Sequence, residues 1–204
     1  MHKEILSKEQ IDLLPLVADF KREFYLVGGT AIALHIGHRR SIDFDLFKHK
    51  PLRKKTILTK ISSSNHPYIV TRNVAEQLNV SINNVKFTFF EFPFEIATPC
   101  VFEKFIKLPN LLTLAALKAY ALGRRSKWKD YIDLYFILKD FYTITEIANK
   151  ADEIFKELFS EKLFRAQLCF FEDIDYSEEV EFMNGLDVSE EVVKNFLIDI
   201  ATEL

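Results

Sequence analysis

Two aspartates one residue apart, Asp43 and Asp45, follow two adjacent glycines, Gly28 and Gly29, in the stretch LVGGTAIALHIGHRRSIDFDLF from Leu26 to Phe47. On a β-strand the two carboxylates would project from one face, with Cα atoms about 6–7 Å apart. Two ionised carboxylates at that range repel unless a cation lies between them or one takes a proton. Oxygen-only ligation by one or two carboxylates suits Mg²⁺, which completes its shell with substrate phosphates and water. Glycines without Cβ atoms let a backbone approach phosphate oxygens, and a helix N-terminus adds donors and a favourable dipole. The glycine pair and the acids, 13 residues apart, therefore point to one ligand, a metal-bound nucleotide polyphosphate. Taken alone, Gly-Gly usually marks a turn and Asp-x-Asp a solvated strand face.

A second cluster is LKAYALGRRSKWKDYIDL, where Lys118, Arg124, Arg125, Lys127 and Lys129 put five positive charges within twelve residues. The plain reading is a solvated basic helix face. The functional reading is that Lys118, a compact charge, meets a triphosphate. Asp130 and Asp133, three apart, share one side of a helix. His35 and His38 lack the further ligands that zinc needs, so His35 packs and His38 orients the loop before the acidic strand. The basic run KHKPLRKKTILTK reads as a solvated helix face, with an RNA backbone as an alternative occupant. FTFFEFPF reads as core and sheet face, with base stacking as the alternative.

The elements that must position these groups follow from periodicity. Ser7 is a helix N-cap, and Pro15 ends that helix and sits in the first turn of the next, Leu16–Arg22. Glu23–Val27 is a short strand, broken by Gly28–Gly29. Thr30 then caps a helix over Ala31–Ile36. Ser41–Phe47 alternates with period two: Ile42, Phe44 and Leu46 on one face, Ser41, Asp43 and Asp45 on the other. Leu52–Ser63 is an amphipathic basic helix. Tyr68–Arg72, Leu78–Ile82 and Val85–Glu91 are strands, the last two joined by an Asn83–Asn84 turn. Leu111–Leu122, Lys127–Lys139, Ile144–Phe159, Glu161–Phe171 and Ser189–Leu204 are helices. The expected class is α+β: a mixed sheet with flanking helices over 1–100, and a helical domain packed on that core over 101–204.

The 204-residue chain is 49% hydrophobic and holds 20 Phe, enough for a core that needs no disulfide or structural metal. A net charge of −3 argues against bulk attraction to nucleic acid or an anionic membrane, while leaving room for a local basic site. Cys100 and Cys169 match no metal spacing and read as free buried thiols. The N-terminus has no apolar signal core and no run of 18 apolar residues occurs, so a cytoplasmic location without membrane association is expected.

These residues resemble a known family. Gly28-Gly29-Thr30, the 13-residue gap and Asp43-Phe44-Asp45 look like the signature of the nucleotidyltransferase fold shared with DNA polymerase beta. HRRSIDFDLF is similar to the AbiEii/AbiGii-type toxins of abortive-infection and toxin–antitoxin systems, through His38, Arg39, Ser41, Asp43, Asp45 and Phe47. The later helix matches that family's form at Lys118, Ala121, Arg125, Lys129, Asp130, Asp133 and Leu134, and LCFFEDIDYSEEVEFMNG resembles its C-terminal segment. The resemblance implies Asp43, Asp45, Lys118 and Asp130 as catalytic residues, with Asp43 and Asp45 holding Mg²⁺ or Mn²⁺. It implies Gly28, Gly29, Thr30, Arg39, Ser41, Lys118 and Arg125 around an NTP. It further implies an RNA acceptor (a tRNA among the candidates) or a protein hydroxyl, and a cognate antitoxin protein.

Many such enzymes carry a third carboxylate on a neighbouring strand. Here that position falls near Thr88, and Glu91 lies on the opposite face of a regular strand. A non-catalytic nucleotide- or partner-binding module on the same scaffold is thus the alternative. A haloacid-dehalogenase-type phosphatase fits poorly, because Arg39-Arg40-Ser41 precedes the first acid and Phe47 stands two residues past the second.

Overall fold

The computed structural model describes residues 1–122, 124–183 and 185–203, and the chain divides into two compact units, Met1–Asn110 and Leu111–Leu204. The first unit opens with α1 (Lys8–Asp12), which starts at Ser7 in a capping box with Gln10. Pro15 lies in the first turn of α2 (Leu14–Phe20). Then come β1 (Tyr25–Val27), α3 (Gly28–Ile36), β2 (Asp43–Lys48), α4 (Lys54–Ser63), β3 (Tyr68–Val74), β4 (Gln77–Ile82) and β5 (Val85–Glu91). Two three-residue strands, β6 (Cys100–Phe102) and β7 (Ile106–Leu108), complete a sheet of order β3-β4-β5-β2-β1-β7-β6. Sequence periodicity does not reveal β6 and β7. They carry the sheet past residue 100, and β7 pairs with β1 in parallel.

Cross-strand register assigns every side chain to a face, because directly opposed residues point the same way. Asp43, Asp45 and Phe47 are half-buried on one face of β2, while Phe44, Leu46 and Lys48 are buried on the other. Phe44 pairs with Phe87 and Leu46 with Phe89 on β5, which in turn face Val80 and Leu78 on β4. Phe20 and Phe24 pack edge-on against Phe89, at 4.9 and 5.4 Å between ring centroids. Helices α2 and α4 cover this apolar face, and each buried Phe contributes roughly 1.5–3 kcal/mol. Ile42, expected on the apolar face, precedes the strand and is exposed.

Asn83 and Asn84 both have positive φ, 48° and 63°, the backbone of a type I′ hairpin turn. In β3 the register against β4 shifts at Thr71: Val70 opposes Val80, but Arg72 opposes Asn79. This bulge turns Arg72 away from the apolar face, where a regular ladder would have set it opposite Leu78.

The second unit holds α5 (Leu111–Leu122), α6 (Trp128–Asp140), α7 (Ile144–Phe155), α8 (Glu161–Leu168) and α9 (Glu190–Thr202). Helix α7 ends earlier than its sequence pattern predicts, because Lys156 adopts φ 50° and a short 3₁₀ turn follows. The expected last residue of the final helix, Leu204, lies outside the described residues.

Asn84→Gly is expected to hold or raise stability, since glycine adopts the left-handed region freely. Asn84→Val places a β-branched residue there and is expected to cost about 1–2 kcal/mol, read from urea denaturation midpoints.

Candidate active site

Register brings the glycine turn onto the second aspartate. Val27, the last residue of β1, pairs with Asp45 on β2. The chain then turns into α3 through Gly28 at φ +72°. A Cβ at Gly28 would fall 3.1 Å from Asp45 Cγ and nearer still to its Oδ2. A Cβ at Gly29 would fall 3.2 Å from Ser41 Oγ and closer to Arg39 Nη2. The missing methyls thus admit a carboxylate and a guanidinium to the start of α3, whose first N–H groups have no partner within the helix.

Thr30 is not the cap of α3. The helix begins at Gly28, and its N-cap, Val27, offers no side-chain hydrogen bond. The Thr30 hydroxyl is buried, bonds the main-chain carbonyl of Asp43 and lies 2.9 Å from Ser41 Oγ. It fastens α3 to the first residue of β2, leaving its backbone amide to the helix terminus. Arg39, 2% exposed, donates from Nη1 to the Arg40 carbonyl at 2.9 Å. His38 is also buried. His35 shares a 3.0 Å hydrogen bond with the Pro109 carbonyl; the carbonyl only accepts, so Nε2 carries the proton. Burial holds His35 below the ordinary imidazole value.

On the other flank of β2, Thr88 stands opposite Asp45 and Lys86 opposite Asp43, with Lys86 Nζ 4.0 Å from Asp43 Oδ2. The pairing of β2 with β5 runs without a break, so Glu91 stays with Lys48 on the apolar face. Among the described residues no group of three or more His, Cys, Asp or Glu could hold a metal ion. Asp43 and Asp45 still supply oxygen donors from one face, beside the backbone of Gly28. That set fits a hard cation that takes its other ligands from phosphate and water.

The basic run after β2 does not share this face. Lys48 is 5% exposed, pairs with Glu23 at 2.9 Å and lies 5.2 Å from the Phe24 ring centroid. Arg53 joins the same Glu23 carboxylate at 3.0 Å, and Lys54 bonds Asn73 on the apolar side of β3. The run expected to be a solvated helix face therefore begins with one inward charge, Lys48 on β2, on the side opposite the paired acids, while Arg53 stays exposed.

The second cluster is an ion network built inside the helical unit. Lys118 of α5 lies 2.7 Å from Asp130 Oδ1 and 2.9 Å from Asp133 Oδ2 on α6. All three are at most 5% exposed. Arg125 closes on Asp130 from outside, with Nε 2.9 Å from Oδ2 and Nη2 3.3 Å from Oδ1. Burial alone would raise the Asp130 pKa, but the charges of Lys118 and Arg125 outweigh it and hold the carboxyl below its ordinary 3.8. The remaining cations are also engaged. Lys127 and Lys129 meet Glu178, and Arg124 stacks 3.5 Å over the Tyr120 ring. The Asp173–Ser177 segment is pinned to the start of α6 by the Trp128 amide donating to Asp175 at 3.1 Å. The sequence places Asp133 on one helix side with Asp130 without giving it a partner; it is the fully buried half of the clamp on Lys118. Its spacing from Asp130 is the available signal.

Lys118→Met would leave two buried carboxylates facing each other and is expected to cost about 3–5 kcal/mol in urea unfolding at neutral pH. Because the folded Asp130 value lies below the unfolded one, its stabilisation is complete above pH 3.8 and drains away as pH falls through the folded value. Acid titration followed by circular dichroism should show Asp130→Asn losing less stability below that pH than the wild type does.

Residues 16–186 match the family model described as nucleotidyl transferase AbiEii toxin, type IV toxin–antitoxin system. The uncharacterised protein aq_aa25 of Aquifex aeolicus is 28% identical over 193 residues, covering 86% of this chain and 92% of that protein. Among solved structures, JHP933 from Helicobacter pylori superposes with a TM-score of 0.57 at 17% identity, covering 96% of this chain and 91% of that one. MenT4, the nucleotidyltransferase toxin Rv2826c from Mycobacterium tuberculosis, gives a TM-score of 0.60 at 12% identity, covering 94% and 81%. The α+β unit with its mixed seven-stranded sheet is thus a nucleotidyltransferase fold, and the chain belongs to the AbiEii nucleotidyltransferase toxin family.

Proposed function

We propose that this protein transfers a nucleotide from an NTP to a hydroxyl group, with RNA (a tRNA 3′ end in particular) ahead of a protein side chain as the acceptor. One observation carries the reading: Asp43 and Asp45 share a sheet face, and the backbone of Gly28, the first of a glycine pair, lies against the second of them. In the reaction the acceptor oxygen bonds to the α-phosphorus. The bond from that phosphorus to the oxygen bridging to the β-phosphate breaks, pyrophosphate departs, and the hydroxyl proton passes to solvent. A bound Mg²⁺ or Mn²⁺ would supply Lewis-acid stabilisation of the phosphate charge, held by Asp43 and Asp45. Gly28 and Gly29 admit phosphate oxygens, and the first amides of α3 donate to them. Arg39 and Ser41 buttress that turn. Lys118 is assigned to the charge that builds on departing pyrophosphate, with Asp130, Asp133 and Arg125 fixing its ammonium. As a toxin the protein would act in the cytoplasm and be neutralised by a cognate antitoxin. No helix among the described residues is long and apolar enough to cross a membrane.

A second reading rests on Thr88, a neutral residue directly opposite Asp45 where many relatives in the fold carry a third acid. It makes the protein a nucleotide-binding module without turnover.

Purified protein is incubated with each labelled NTP, Mg²⁺ and total RNA, and the products are resolved on a gel. Label is expected in RNA with the wild type. It is expected to fall at least 100-fold with Asp43→Ala or Asp45→Ala, each retaining a native circular dichroism spectrum. Undiminished labelling by either variant overturns the assignment. Calorimetric NTP binding with no transfer to any acceptor favours the module.

A further inference from the structure

The sheet face that carries the two acids also carries three cations outside the basic runs visible in the sequence: Lys86 and Arg72 on one side of the acids, and Lys107, opposite Tyr25 of β1, on the other. Following the register from β1 outward, Val27, Asp45, Thr88, Asn79 and Arg72 form one continuous row across five strands. The adjacent row runs from Asp43 through Lys86 and Ser81 to Ile69. Arg72 reaches this face only because the Thr71 bulge shifts β3 by one residue. It is exposed, and among the described residues it makes no ion pair or hydrogen bond. Lys86 has a side chain 46% exposed and, among the described residues, meets only Asp43, at the 4.0 Å limit of an ion pair.

Between these cations and the acids the row is polar and neutral. Thr88 and Asn79 are 8% and 9% exposed, and Asn79 Oδ1 accepts from Gln77 Nε2 at 2.9 Å. A carboxylate at position 88 would repel a phosphate there; Thr88 does not. The glycine turn flanks Asp45 on the β1 side, whereas Lys86 and Arg72 lie on the β5 and β3 side. A displacement at phosphorus needs nucleophile and leaving group on opposite sides. If the triphosphate rests on the glycine turn, the acceptor approaches over β5. At strand spacing, Arg72 stands about 14 Å from Asp45, the span of a few nucleotides of single strand.

We infer that Lys86 and Arg72 form a cationic strip that seats the phosphate backbone of a single-stranded RNA acceptor, with its terminal hydroxyl directed at the Asp43–Asp45 pair. The inference rests on the transferase reading for the direction of the strand and on the sheet register for the strip itself. A protein acceptor has no need of two cations spaced along a track away from the acids.

The test measures binding of a fluorescent single-stranded RNA oligonucleotide by anisotropy across a salt series, alongside the transfer assay. Arg72→Glu with Lys86→Gln is expected to weaken RNA binding at least tenfold. It should also flatten the plot of log affinity against log salt by about 0.7 for each phosphate that is no longer neutralised. Arg72→Glu alone is expected to leave the calorimetric NTP affinity within about twofold. Lys50→Glu with Lys55→Glu, on the α4 side, serves as the control and is expected to change RNA binding less than twofold. Unchanged RNA affinity and salt slope in the strip variant overturn the inference. So does wild type that binds no RNA and labels only protein. RNA binding that depends on the strip, without transfer from any NTP, upholds the strip and removes the transferase reading.

Discussion

The contact between the Asp45 carboxylate and the Gly28 backbone is the constraint around which the N-terminal unit is arranged. It exists because β1 and β2 pair with Val27 opposite Asp45, so that the turn leaving β1 passes directly over that side chain. Any residue larger than glycine would need both a left-handed backbone and space the carboxylate already fills. The buried Thr30 hydroxyl then ties the helix back to the carbonyl of Asp43, fixing both acids to one rigid corner. Pre-organisation of this kind keeps like charges adjacent without waiting for a ligand to assemble them.

The helical unit meets a different constraint. Two acids and one lysine are withdrawn from water there, which is costly unless geometry compensates. Lys118 sits between Asp130 and Asp133, and Arg125 restores charge balance from the rim, so two cations meet two anions. An apolar replacement could be more stable. What the network offers instead is a lysine ammonium with a defined direction, held by partners on a second helix.

How far the residues announce this architecture depends on whether the signal is local. Gly28–Gly29, the alternation across Asp43–Phe47 and the two-asparagine turn are local, and each is readable from residue types alone. The α5 boundaries agree with the pattern to the residue. Non-local information is hidden. Strands β6 and β7 have three residues each, too few for period two to register. Lys48 sits in a basic run, and only its pairing with Glu23 shows that it points inward. Thr30 looks like a cap because it follows two glycines, yet the helix starts before it. The Thr71 bulge has no glycine or proline to mark it, so Arg72 cannot be assigned to a face before β3 and β4 are aligned.

The interior position of β1, between β2 and β7, bears on synthesis. This three-residue strand lies between β2, which follows it closely, and β7, which closes the unit near Leu108. A nascent chain that has emerged only through the acidic strand has one open edge beside the glycine corner. That edge is filled in parallel, by a segment the ribosome delivers last within the unit, so maturation of this region is a late, long-range event. The glycine corner is therefore flanked by strands on both sides only after most of the first unit has left the exit tunnel.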